Sequence, residues 1–96
     1  MLVVVSYDVS TKDPAGARRL RRVAKACVDM GQRVQNSVFE CIVDPTQWVK
    51  LKLRLLSEFN PQADSLRFYF LGASFRNRIE HHGAKAVADL EGPLVV

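Results

Sequence analysis

The chain has 96 residues, of which 48% are hydrophobic, and carries 14 lysines and arginines against 10 aspartates and glutamates. This length suits one domain and excludes a multidomain enzyme, and the composition excludes a disordered scaffold. The opening apolar run, which contains Leu2 to Val5, is far shorter than the roughly 20 residues of a membrane-spanning helix. Without a signal-peptide pattern either, we expect a cytoplasmic protein with no membrane partner. The formal charge of +4 favours a polyanion partner.

The first 43 residues predict a strand, a helix and a return to extended structure. Residues 1–8 are β-branched and aromatic, as is typical of a central strand. Alternation assigns its side chains to two faces, one with Leu2, Val4, Ser6 and Asp8 and the other with Val3, Val5 and Tyr7. Asp13 and Pro14 predict the start of an amphipathic helix that ends at Gly31 as its cap. Polar and apolar residues alternate over residues 33–43 on either side of a polar corner at Asn36 and Ser37, which predicts two short strands or one bent strand.

The second half predicts another helix and another strand. Pro45 starts a helix that ends before Asn60, and residues 65–72 form a strand with bulky apolar groups on both faces. The order is that of an α+β, ferredoxin-like (split βαβ) sandwich with a C-terminal strand, forming one domain over residues 1–96. Both helices then cover one sheet face, so we expect a homodimer to cover the other. Residues 75–82 and 94–96 are expected to pair with strand edges, and the segment from about 76 to 96 to pack on the partner protomer.

Asp8 is the first candidate for chemistry because it ends a central strand next to a polar loop. A carboxylate at such a place is also common as a turn residue, and both interpretations stay open. Mg²⁺ prefers several oxygen ligands, so a two-fold axis near the strand end would let two Asp8 side chains share one ion. His81 and His82 point to opposite strand faces and receive no catalytic role. Cys27 and Cys41 lack CxxC spacing and are expected in the core.

Basic residues form a second candidate site. They lie on the two predicted helices and after the last predicted strand: Arg18, Arg19, Arg21, Arg22 and Lys25 on the first helix, Lys50, Lys52 and Arg54 on the second, and then Arg76 and Arg78. No acidic residue lies between Arg18 and Lys25. Such a stripe is typical either of a solvated helix face or of a surface that contacts nucleic-acid phosphates without reading sequence.

Four segments, VVVSYDVS, RRLRRVAKAC, GQRVQNSVFEC and LRFYFLG, occur in this order over nearly the whole chain. Together they resemble the CRISPR-associated Cas2 adaptation proteins. The resemblance implies a ferredoxin-like homodimer that joins the CRISPR integrase and holds foreign DNA fragments during spacer acquisition. It also implies a Mg²⁺-dependent endonuclease acting on RNA or double-stranded DNA.

The resemblance also assigns roles to individual residues. Tyr7 and Asp8 are expected in catalysis, with Asp8 as the metal ligand. The family's helix arginines correspond best to Arg19 and Arg22. With Arg18 and Arg33, these are the expected nucleic-acid contacts. Ser37 and Phe39 are expected at the dimer and active-site surface.

Three functions remain open from the sequence. The first is the endonuclease, and the second is a non-catalytic DNA-binding scaffold of the integrase complex, which would keep the arginines and tolerate loss of Asp8. The third is a small metabolite sensor, because the ferredoxin-like fold hosts many functions.

Overall fold

Strands and helices alternate through residues 1–71 and 79–84, which are the residues that the structure, a computed structural model, describes. In chain order they are β1 (Leu2–Asp8), α1 (Pro14–Val28), β2 (Gly31–Gln35), β3 (Val38–Ile42), α2 (Pro45–Glu58), β4 (Ser65–Phe70) and β5 (Ile79–Gly83). The strands form one antiparallel sheet in the order β2-β3-β1-β4-β5. The predicted ferredoxin-like α+β order is confirmed, with β5 added beside β4.

The central strand β1 divides the molecule into two different sides. Val3, Val5 and Tyr7 are buried, and they pack with the inward side chains of the neighbouring strands and both helices: Phe39, Cys41, Leu66, Phe68, Leu20, Val23, Trp48, Leu51 and Leu55. Leu2 and Val4 point the other way and are half-buried. The predicted alternation along β1 is therefore confirmed. Cys27 and Cys41 are buried free thiols, as expected of core residues.

Side-chain caps start both helices where the sequence predicted. The Asp13 carboxylate accepts a hydrogen bond from the Gly16 amide at 2.7 Å. Asp44 accepts one from the Gln47 amide at 2.7 Å, and the Gln47 side chain returns a bond to the Asp44 amide. Each cap satisfies backbone donors that the first helical turn leaves unpaired.

The predicted end of the first helix is wrong. Helix α1 ends at Val28 with Asp29 as its cap, and Gly31 is the first residue of β2. A Cβ atom at Gly31 would lie 1.9 Å from the Glu40 carbonyl oxygen. Glycine is therefore needed here for the close approach of β2 to β3, and not for a helix cap.

Residues 33–43 form two strands joined by a turn at Asn36 and Ser37, which resolves the alternative left by the sequence. Strand β5 pairs with β4 of the same chain. The Lys52 ammonium group of α2 lies 2.5 Å from the Glu80 carboxylate of β5, which joins helix and edge strand. Residues 75–78 and 94–96, for which edge pairing was expected, lie outside the described residues, as does most of the segment expected on a partner.

The sheet face opposite the helices, called the open face below, is not covered by a helix of the described chain. The strand register places these side chains on it: Leu2, Val4, Ser6, Asp8, Val38, Glu40, Ile42, Arg67, Tyr69, Ile79 and His81. Ile42 is 75% exposed. No helix in residues 1–71 and 79–84 is long and apolar enough to cross a membrane.

Candidate functional site

The two residues at the end of β1 lie on opposite faces of the sheet. Tyr7 points into the core and is 1% exposed. Asp8 is exposed on the open face. Adjacent strand residues necessarily diverge in this way, so the two expected catalytic side chains do not share one surface.

Tyr7 instead meets a carboxylate that the sequence analysis did not select. Its hydroxyl donates to Asp64 Oδ2 at 2.5 Å. Arg19 donates to the same carboxylate twice, from Nε to Oδ2 at 2.7 Å and from Nη2 to Oδ1 at 3.1 Å. The Asn60 amide adds a fourth hydrogen bond at 3.0 Å. Asp64 is 1% exposed, and four donors of this kind are what a buried carboxylate needs to remain ionised.

The protonation states of this cluster follow from its contacts. Burial acts to raise the pKa of Asp64, but hydrogen bonds from Arg19, Tyr7 and the Asn60 amide outweigh it and lower the pKa below the usual value. Burial and the neighbouring Asp64 raise the pKa of the Tyr7 phenol. The hydrogen bonds to Asp64 raise the pKa of Arg19. At neutral pH Tyr7 is therefore a protonated donor and unsuited to act as a general base.

Asp8 does not form a complete metal centre within the described chain. No group of three histidine, cysteine, aspartate or glutamate side chains in residues 1–71 and 79–84 is placed to hold a metal ion. A carboxylate oxygen suits Mg²⁺, which usually keeps several waters and takes one or two carboxylates. Asp8 therefore fits as one ligand of such an ion, and the remaining ligands would have to come from outside the described residues.

The arginines of α1 separate into exposed and inward groups. Arg18, Arg21 and Arg22 are exposed, and Arg22 Nη1 lies 4.0 Å from a Glu58 oxygen. Arg19 is only 18% exposed because its guanidinium group reaches Asp64. Within the described chain neither Arg18 nor Arg21 forms an ion pair, so α1 presents uncompensated positive charge to solvent.

The hairpin of β2 and β3 carries the remaining predicted site residues. Arg33 is exposed, donates from Nε to the Asn36 carbonyl at 2.8 Å and lies over the Phe39 ring at 5.4 Å. Phe39 itself is fully buried. The Ser37 carbonyl accepts a hydrogen bond from the Tyr7 amide at 2.9 Å.

Residues 1–79 match the family model described as CRISPR associated protein Cas2. The CRISPR-associated endoribonuclease Cas2 of Nitratidesulfovibrio vulgaris is 67% identical over 96 residues, covering all of this chain and 94% of that protein. The chain belongs to the Cas2 family. A relative from Halalkalibacterium halodurans, named CRISPR-associated endonuclease Cas2, is 57% identical over 95 residues, covering 99% of both chains.

A solved structure of a Cas2 protein has the same fold. The crystal structure of Streptococcus pyogenes Cas2 at pH 6.5 has a TM-score of 0.74 and 56% sequence identity, covering 83% of this chain and 96% of that one. The ferredoxin-like fold expected from the Cas2 resemblance is therefore confirmed both by the family match and by a related structure.

The structure qualifies three of the roles that the Cas2 resemblance assigned. The Tyr7 hydroxyl and the Arg19 guanidinium group are bonded to Asp64, and direct contact with nucleic acid would require both to leave a charged network. Phe39 is part of the core and not of a surface, because its ring lies on the helix side of β3. Asp8, Arg18, Arg22 and Arg33 are exposed, as contacts with a ligand require.

Sequence reasoning missed Asp64 because it follows a turn and precedes a strand, where a solvated carboxylate is the usual case. The sequence did hold one indirect signal. Arg19 lies four residues before Val23 and seven before Ala26, both fully buried, so helical periodicity directs Arg19 inward. A buried arginine needs an anionic partner.

The Asp64 network predicts a specific loss of stability in acid. Because folding lowers the pKa of Asp64, the ionised carboxylate stabilises the fold fully above its pKa in the unfolded chain, about 4. This stabilisation is lost as the pH falls through the lower pKa of the folded protein. We expect Asp64→Asn to lower the free energy of unfolding by about 1.5–3 kcal/mol at pH 7. The difference from wild type should shrink below about pH 4. Urea unfolding at several pH values measures it, and equal pH slopes for both proteins would contradict the assignment.

Proposed function

We propose that this chain is a Mg²⁺-dependent endonuclease of RNA or double-stranded DNA that acts with the CRISPR integrase in spacer acquisition. The observation that carries the proposal is the exposed Asp8 carboxylate at the end of the central strand, on the face that the helices leave open. Relatives named endoribonuclease or endonuclease support phosphodiester hydrolysis as the reaction.

Asp8 would act as a metal ligand in this reaction, together with Asp8 of a second copy. Two carboxylates near one another repel unless a cation lies between them, which favours a shared ion. When bound, Mg²⁺ supplies an activated water and offsets charge on the scissile phosphate. The rigid central strand fixes the direction of the carboxylate, and the exposed arginines of α1, which lies on the other face of the sheet, would bind phosphates farther from the cleaved bond.

A homodimer through the open face is part of this proposal. The face carries exposed apolar groups such as Ile42. Large apolar side chains exposed on a sheet face that no helix covers are typical of a surface that packs against another protein.

Cleavage should depend on the Asp8 carboxylate and on a divalent ion. We expect Asp8→Asn to reduce cleavage by more than about 100-fold, the upper range seen when groups that merely support a metal ligand are removed. EDTA should abolish cleavage by the wild type. Asp44→Asn is the matched control, because Asn also caps a helix and the fold should be unchanged. Cleavage of labelled RNA and duplex DNA measures the effect, and equal rates for Asp8→Asn and wild type would remove Asp8 from the mechanism.

Dimer formation through the open face predicts sensitivity to a charge placed there. Ile42→Glu should give monomers at micromolar concentration, because it buries an unpaired carboxylate at the interface. Val49→Glu is the matched control, since Val49 is a similarly β-branched and exposed residue of α2. Light scattering measures the mass of each protein. A wild-type monomer, or a dimer that survives Ile42→Glu, would contradict this part of the proposal.

The second candidate function, a non-catalytic scaffold that holds DNA for the integrase, is favoured by the exposed cations of α1. It predicts that Asp8→Asn still binds duplex DNA and supports integration. Arg18→Gln and Arg22→Gln should each reduce the slope of log affinity against log salt by about 1, because each removes one phosphate contact. Gln62→Ala, which changes an exposed uncharged side chain, is the control and should keep the wild-type slope. Unchanged slopes for both arginine variants would exclude α1 as the binding surface.

A further inference from the structure

Asp64 connects four separate parts of the chain. Its carboxylate accepts from Tyr7 of β1, from Arg19 of α1 and from the Asn60 amide of the loop after α2. Its backbone carbonyl accepts from the Ala84 amide, directly after β5, at 2.9 Å. A single buried side chain and its own backbone thus hold together the segments that surround the end of the central strand.

The contact between Tyr7 and Asp64 lies next to the proposed metal ligand, because Tyr7 precedes Asp8 in β1 and Asp64 precedes Ser65, the first residue of β4. Tyr7 bonds to Asp64 through side chains, and the next residues, Asp8 and Ser65, are register partners in the sheet. Because one peptide unit separates Tyr7 from Asp8, fixing the Tyr7 ring in the core fixes the direction in which Asp8 leaves the opposite face.

The geometry of Arg19 argues against direct contact with nucleic acid. Two of its three guanidinium nitrogens donate to Asp64, with both carboxylate oxygens as acceptors. A bidentate pair of this kind already compensates the charge that a phosphate would seek. Arg18, the preceding residue on the same helix, is exposed instead. Arg19 therefore makes a contact inside the protein, whereas the neighbouring Arg18 lies in solvent.

We propose that Asp64 is a positioning residue for Asp8, and that Tyr7 and Arg19 act through Asp64 rather than by contact with nucleic acid. This inference rests on the proposed metal-dependent function of Asp8. Loss of any member of the cluster loosens the end of β1 and weakens metal binding at Asp8, while the phosphate-binding surface of α1 stays intact.

The first arm of the test measures the metal. Mg²⁺ dependence of cleavage and calorimetric titration with Mn²⁺ alone are compared for wild type, Tyr7→Phe and Asp64→Asn. We expect the metal concentration at half-saturation to rise by about 10- to 100-fold, as for other groups that orient a metal ligand. A merely structural role would lower the melting temperature and leave this concentration unchanged in the folded protein. Circular dichroism sets an assay temperature well below melting, and Tyr7→Phe, the mildest change, keeps the test usable if Asp64→Asn unfolds.

The second arm measures nucleic acid without metal. Duplex DNA affinity is determined in EDTA over a salt series for Arg19→Gln and Arg18→Gln. Arg19→Gln should keep the wild-type salt slope, whereas Arg18→Gln should lose about 1 from it. Both Arg19 variants are also titrated with Mn²⁺ as in the first arm, where Arg19→Lys, which retains a charge beside Asp64, should restore part of the metal affinity that Arg19→Gln loses.

Two results would overturn the inference. One is a salt slope reduced by Arg19→Gln as much as by Arg18→Gln, and the other is an unchanged Mn²⁺ half-saturation in Tyr7→Phe. The failure of the proposed nuclease is distinguishable from both: if the wild type cleaves nothing, the Mn²⁺ titration and the salt series still decide the roles of Tyr7, Arg19 and Asp64.

Discussion

The structure depends on the alternation of side chains along one central strand. β1 has a hydrogen-bonded neighbour on each edge and both helices on one face, so every second residue of it must suit the core. The residues between must suit whatever lies against the open face. At the end of β1 this alternation places the Tyr7 and Asp8 side chains on opposite faces of the sheet, although the two residues are adjacent in the chain. Core order and surface chemistry are therefore set by neighbouring residues of the same strand.

The fold could be predicted because its signals are local. Alternation of apolar residues identifies β1 and β4, and an aspartate followed by proline identifies the start of each helix. Gly31 was misassigned because its role is not local. The residue is required by the Glu40 carbonyl of the partner strand, and no pattern around position 31 contains that neighbour. A helix cap and a close strand approach both favour glycine, and only the tertiary structure distinguishes them.

The residues of the candidate site also differ in whether a short segment of sequence can identify them. Asp8 and the exposed arginines could be found because strand ends and helix faces can be read from short segments. The Asp64 cluster could not, since its members are separated by 57 and 45 residues in the chain. The resemblance to Cas2 proteins pointed to Tyr7 and Arg19 without showing what they contact. Their inward direction follows from strand and helix periodicity, and their common partner follows only from the packing of α1 against the loop before β4.

Electrostatic environment also separates residues of the same chemical type. Asp64 and Asp8 are both carboxylates, but one is buried among four donors and the other is exposed on the open face. A carboxylate whose oxygens already accept from Arg19, Tyr7 and a backbone amide has little capacity left for a metal ion. The Asp8 carboxylate is instead accessible from solvent, which the proposed metal site requires. The same contrast holds for Arg19 and Arg18, because the first is paired with Asp64 inside the protein and the second is exposed on the surface of α1. Part of the protein's positive charge thus orders its interior, and the arginines exposed on α1 carry the charge that the proposed contacts with nucleic acid need.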